Sequence, residues 1–207
     1  MKKRLIPCIF LKNGMIVRSE DFKIHQIIGN PINQVKRFSD WAVDEIIYID
    51  ISESNKYDNR RDDHKIKTSN SKLDLLSEIS KNIFVPLAFG GGIRTTDDIQ
   101  RVLQMGADKV VLNSGMFFDD LLLTQAVEIF GSQALVACVD YKDNFVYFEH
   151  GRSKSKYTVE QWCSILEKQG IGEILLNDIS RDGKSTGYDL KTISMIVDMV
   201  NIPVIAL

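Results

Sequence analysis

Short apolar runs alternate with longer amphipathic stretches from one end of the chain to the other. The runs cover residues 5–11, 45–51, 85–89, 109–112, 134–140, 173–177 and 202–206. They are rich in Val, Ile and Leu with little polar alternation, which is how strands covered on both faces read. The stretches between them, 31–43, 71–83, 95–105, 118–130, 158–169 and 189–200, carry apolar residues at helical spacing. Pro31 stands at an early helical position, where a missing N–H costs nothing, and Thr95 precedes Asp98 by three residues in a capping-box-like start. The pattern predicts seven strands in one continuous α/β domain, residues 1–207, with no Ser/Pro/Gly-rich linker to divide it.

The pattern also repeats. Residues 45–52 (EIIYIDIS) match residues 173–180 (EILLNDIS) at five of eight positions, at an offset of 128. Residues 8–13 lie over 138–143 at an offset of 130, and each is followed by an apolar hairpin-like piece, 15–17 and 145–148. Val85-Pro86-Leu87 echoes Ile202-Pro203-Val204. Chance similarity between generic βα units explains the apolar matches but not the paired Glu45/Glu173 and Lys12/Lys142. A period this long excludes a solenoid and points to a (β/α)8 TIM barrel of two half-barrel repeats. Such barrels typically take roughly 250 residues, and the seventh strand ends at the last residues of the chain. The expectation is therefore an incomplete barrel, truncated after strand 7, with helix seven, strand eight and helix eight beyond Leu207.

Composition narrows the class. The chain has 207 residues, 44% hydrophobic and 26% charged, with 13 glycines and four prolines. That excludes collagen-like, low-complexity and globally disordered chains. A net charge of −2 gives no basic field for nucleic acid. No run reaches the roughly 20 apolar residues of a membrane span, and the basic start before residues 5–11 lacks a signal-peptide cleavage pattern. Cys8, Cys138 and Cys163 are few, odd in number and without CxxC spacing, as in a cytoplasmic protein with reduced thiols. His25, His64 and His150 have no metal-ligand spacing, and no metal or cofactor is expected. Trp41 and Trp162 read as packing residues. Segment 52–71 is a long charged loop, either a solvated connection or a lid or docking loop.

Candidate chemistry collects at strand ends. Gly90-Gly91-Gly92 lies between a strand and a helix, where glycine lets backbone N–H groups approach an anion. Asn113 and Ser114 follow the next strand; together with the glycines they read as a phosphate cradle, the alternative being an ordinary tight turn. Arg181-Asp182-Gly183-Lys184 follows strand six, as a structural turn or as part of a second phosphate site. Asp140 ends strand five at the end where barrels place catalysis and suits general acid or base work. Its repeat mate is Phe10, which cannot move protons. Asp50 ends strand two, and Asn177 joins it in the candidate substrate-binding set with Gly91, Gly92, Asn113, Ser114, Asp182 and Gly183. At the opposite strand ends, Arg4, Glu45, Lys109 and Glu173 supply two cations and two anions for a neutral ring, on the plain reading an ion-pair plug.

These stretches together resemble the HisF-type cyclase subunit of imidazole glycerol phosphate synthase. The matching residues are Arg4 to Cys8, Asp44 to Ile51, Gly90 to Ile93, Gly106 to Lys109 with Asn113-Ser114, Gly172 to Leu176, and Arg181-Asp182-Gly183 with Gly187 to Asp189. Cys8 and the four-residue charged set favour the cyclase over its sister isomerase. The resemblance implies a glutaminase partner (HisH-like) at the barrel bottom and ammonia passing the gate of Arg4, Glu45, Lys109 and Glu173. A phosphorylated small-molecule substrate would sit at the mouth, with Gly92, Asn113 and Ser114 on one phosphate, Asp182 and Gly183 on the other, and Asp140 catalytic. Two positions depart from the family pattern. Phe10 stands where the first catalytic aspartate belongs, and Arg18 where the family has lysine. A branch of the family encoded with surface-polysaccharide genes resembles this chain more closely, and implies a barrel that relays ammonia to a separate sugar amidotransferase making acetamidino sugars. A phosphosugar-binding barrel with other chemistry remains a further reading.

Overall fold

In the computed structural model, the described residues are 3–20, 22–41, 43–54, 57 and 69–207. Most of the long loop 52–71, including His64, lies outside them. The chain divides into two compact units: Met1–Arg18, His25–Gly92 and Asp97–Val110 form the first, and Ser19–Ile24, Ile93–Thr96 and Val111–Leu207 the second. No helix among the described residues is long and apolar enough to cross a membrane.

The first unit holds β1 (Cys8–Lys12), β2 (Met15–Glu20), β3 (Ile24–Gly29), α1 (Pro31–Asp40), β4 (Ile46–Asp50), α2 (Lys72–Ser80), β5 (Leu87–Gly90), α3 (Thr96–Gln104) and the start of β6 (Lys109–Leu112). Its strand order is β5-β4-β1-β2-β3. β1 runs parallel to β4, which runs parallel to β5, while β1 and β2 form an antiparallel hairpin. Asn13 and Gly14, both at positive φ (50° and 78°), close that hairpin, as a two-residue turn matched to strand twist requires. Asn30 caps α1 by accepting from the Ile32 and Asn33 amides, and Ser71 caps α2 by accepting from Asp74. The core between strands and helices is built of Ile46, Ile47, Tyr48, Leu76, Ile79, Leu87, Phe89 and Ile99, all fully buried.

The second unit holds α4 (Gly115–Phe118), α5 (Leu122–Phe130), β7 (Leu135–Lys142), β8 (Phe145–Phe148), β9 (Ser153–Thr158), α6 (Val159–Lys168), β10 (Glu173–Asp178), α7 (Leu190–Met199) and β11 (Val204–Ala206). Its parallel strands run β11-β10-β7, with β8 and β9 as antiparallel extensions of β7. Asp143 and Asn144, again at positive φ, close the β7–β8 turn. Thr158 and Gln161 form a capping box at the start of α6.

Each unit is α/β with parallel strands and intervening helices, the class the alternation predicted. The repeat holds down to strand register. Phe10 pairs with Val17 and Asp140 with Tyr147; Phe10 sits beside Ile49 and Asp140 beside Asn177; Leu11 sits beside Asp50 and Tyr141 beside Asp178. Every pair is displaced by the offsets read from the sequence.

Three expectations need correcting. The helix expected over 118–130 is two helices, α4 and α5. Asp119 is extended and its carboxylate accepts from the Leu121 amide, a local bond that competes with continuing the helix. The other two are strands the pattern did not show. β3 carries a weak alternation around His25 and Gln26, and β9 (SKSKYT) is too polar to read as a strand; each forms because its hairpin neighbour offers an unpaired edge.

Candidate functional site

The charged residues at the strand starts come together within the first unit. Glu45, one residue before β4, is 2% exposed and receives Lys109 Nζ on both carboxylate oxygens, at 3.0 and 2.9 Å, and Arg4 Nη1 on Oε2 at 3.1 Å. Two cations thus meet on one buried carboxylate, bringing together three of the four charged residues singled out at the strand starts. Glu173, the repeat mate of Glu45, opens β10 in the second unit and is half-buried.

At the opposite ends of the same strands, Asp50 is buried at the end of β4. Its Oδ1 accepts from the Ser52 amide at 2.8 Å and its Oδ2 from the Tyr57 hydroxyl at 2.8 Å. Burial, and then the Asp50 charge, push the Tyr57 hydroxyl far above the usual tyrosine range, so it remains a donor. Gly91 has φ 117°, and a Cβ there would stand 2.1 Å from the Asp50 carbonyl oxygen, so only glycine fits. Gly92 has φ 65°. Lys72, at the start of α2, donates to the Gly91 carbonyl at 2.9 Å. Sequence reading passed over Tyr57 and Lys72: one falls in the charged loop, and the other looks like any solvated helix lysine. Arg18 is exposed on β2.

Asp140 lies within the second unit, buried at the C-terminal part of β7. Asn177 Nδ2 donates to its Oδ1 at 2.7 Å, Asn113 Nδ2 to its Oδ2 at 3.0 Å, and the Cys138 thiol lies 3.6 Å from Oδ1. Desolvation pushes its pKa up to about 6, against the pull of those three donors, and the nearby Asp182 charge adds slightly. A carboxyl that titrates near neutrality in a water-poor setting suits proton transfer. The Asn113 amide also donates to the Cys138 carbonyl, at 3.2 Å. The Ser114 hydroxyl donates to Asn113 Oδ1 at 3.2 Å and accepts from the Glu149 amide at 2.9 Å. These two expected phosphate ligands therefore form a hydrogen-bonded chain that ends on Asp140. Asp182 Oδ2 accepts from the Phe22 amide at 2.9 Å, and a Cβ on Gly183 would meet the Ser19 carbonyl at 2.4 Å. Within this unit the Arg181–Gly183 turn therefore lies against Ser19 and Phe22.

Residues 4–206 match the family described as Histidine biosynthesis protein. The chain is 37% identical to the imidazole glycerol phosphate synthase subunit HisF of Hydrogenobaculum sp., across 100% of this chain and 79% of that protein. Against HisF of Lactococcus lactis subsp. cremoris strain SK11 the identity is 36%, across 100% of this chain and 78% of the relative. Against the putative imidazole glycerol phosphate synthase subunit hisF2 of Pseudomonas aeruginosa it is 33%, across 100% and 80%.

Proposed function

We infer the function of this chain from the family to which it belongs: it is a histidine biosynthesis family protein of the HisF-type, a cyclase-subunit relative of imidazole glycerol phosphate synthase. On this reading the chain accepts ammonia from a HisH-like glutaminase partner and binds a phosphorylated small molecule. The partner docks where the first unit's parallel strands begin. Leu5, Trp41 and Phe84 stand 66%, 66% and 88% exposed there, around the Arg4–Glu45–Lys109 network that gates ammonia; Glu173 joins the gate by resemblance alone. Exposed bulky apolar groups beside a charged network fit a protein partner of mixed character. Asp140 is the proton-transfer group, held in place by Asn177 and Asn113.

One observation supports reduced cyclase chemistry. The register slot that holds Asp140 beside Asn177 in one unit holds Phe10 beside Ile49 in the other. Without the second carboxylate, ring closure from ammonia loses a proton-transfer group, whose contribution is typically a factor of 10²–10⁴. The same observation favours a second reading, in which the chain relays ammonia to a separate sugar amidotransferase of surface-polysaccharide synthesis and does little chemistry itself.

The test is ammonia-dependent formation of imidazole glycerol phosphate by the wild type and by Phe10→Asp combined with Ile49→Asn. The second substitution supplies the amide partner that the Asp140 slot has. Turnover at least about tenfold above wild type in the double variant supports an intact cyclase site lacking one acid. Wild-type turnover equal to that of the Hydrogenobaculum relative would sink the impaired-cyclase reading. No gain in the double variant, with the glutaminase complex still formed, leaves the relay reading; failure to form that complex points to a phosphosugar barrel of other chemistry.

A further inference from the structure

The Gly90–Gly92 turn is the backbone part of the phosphate cradle that the sequence suggests together with Asn113 and Ser114. The structure places an ammonium against it. Lys72 Nζ lies 2.9 Å from the Gly91 carbonyl oxygen. A Cβ built on Gly92 would stand 3.2 Å from Lys72 Nζ. The space left open by the missing side chain of Gly92 therefore borders on a cation.

Three features set this lysine apart from a solvated one. It is half-buried, and burial lowers its pKa while the charges of Asp50 and Asp98 oppose that shift. Among the described residues, the Asp50 carboxylate accepts from Tyr57 and Ser52. Among the same residues the hydrogen-bond partner of Lys72 is the Gly91 carbonyl, so two of its three ammonium donors remain for a ligand. A partly desolvated ammonium with open donors is unfavourable unless an anion completes it. The neighbouring turn cannot supply that anion, because Gly91 and Gly92 carry no side chain.

We propose that Lys72 is a phosphate-binding residue, its ammonium reaching the phosphate group of the substrate held at the Gly91–Gly92 turn. This rests on the reading of that turn as a phosphate site. It adds a charged, rotatable ligand to backbone amides, and it makes binding at this turn depend on the protonation of one side chain.

The test follows the amide resonances of Gly91 and Gly92 during titration with inorganic phosphate, so that binding elsewhere on the protein is not counted. Lys72→Gln should weaken saturation of these two signals at least about tenfold, and Lys72→Arg should keep it within about threefold, since both side chains suit a helix start and only one keeps the charge. In the wild type, phosphate should also raise the pH at which the Lys72 Cε resonance titrates. Saturation in Lys72→Gln equal to wild type, or an unmoved Lys72 titration with phosphate bound, overturns the proposal and leaves the turn as a phosphate site. Absence of any saturable shift at Gly91 and Gly92 in the wild type overturns the phosphate reading of the turn, and Lys72 falls with it.

Discussion

The strand pairs β1–β4 and β7–β10 are built to one plan. Each begins a hairpin through a two-residue turn with both φ positive. Each has an aspartate at the same register, Asp50 and Asp178, whose Oδ1 accepts the amide two residues on, from Ser52 at 2.8 Å and Ser180 at 3.0 Å. Each strand start donates an amide hydrogen bond to a proline carbonyl, Ile46 to Pro86 and Ile174 to Pro203. Against this common frame the chemistry diverges. The first unit buries Glu45 at the strand starts, under two cations, and Asp50 at the strand ends, and puts Phe10 beside Ile49. The second buries its charge further along, as Asp140 between two asparagine amides. Backbone hydrogen bonding carries the repeat, and single side chains at fixed register slots set the two units apart.

The largest expected effect tests the buried charge of the first unit. Glu45→Ala leaves Lys109 and Arg4 without their shared anion and should cost about 3 kcal/mol or more. The matching Glu173→Ala, at a half-buried site, should cost about 1 kcal/mol or less. Urea denaturation of both variants reads the difference, and equal costs would mean that the two strand starts are equivalent after all.

Next comes the buried carboxyl of the second unit. Its pKa, about 6 in the folded protein against an ordinary 3.8, means that the folded state holds this proton more tightly than the unfolded chain. Stability from this group is therefore present below pH 4 and is lost as pH rises to about 6, a change of about 3 kcal/mol. Asp140→Asn removes the dependence, so its stability relative to wild type should rise by that amount between pH 4 and pH 7. A pH-independent difference would contradict the burial of Asp140.

The smallest effect separates the two turns. Gly14 is at φ 78° with the Tyr57 ring 3.1 Å from a built Cβ, so Gly14→Ala should lower stability by about 1–2 kcal/mol. Its mate Asn144, at φ 64°, is a residue type that tolerates this conformation, and Asn144→Gly should shift the melt by less than about 0.5 kcal/mol.

Much of this was legible before any coordinates. β6 falls on residues 109–112 as read, and the parallel strands, most helices and the 128–130-residue repeat follow from apolar periodicity. Asp140, Asp50, Glu45 and Lys109 stand out as polar residues at the ends of apolar runs, and the structure finds Glu45, Asp50 and Asp140 buried. The partners were not legible. Nothing local marks Tyr57, Lys72 or Asn177 as neighbours of Asp50, Gly91 and Asp140, because each contact crosses to another strand, helix or loop. Nor does sequence show that Asn113 and Ser114 point their hydrogen bonds toward Asp140.

The sequence by itself determined the α/β class, the order of elements, the register-preserving repeat and the mismatch of Phe10 with its repeat mate Asp140. These depend on periodicity and on which residue occupies a slot, both of which are local properties of the chain. Only the tertiary structure decided which charges are desolvated and which donors meet them. The pKa of Asp140, the double pairing of Glu45 and the open ammonium of Lys72 depend on distance and water exclusion, and those exist only once the strands have paired and the helices have packed over them.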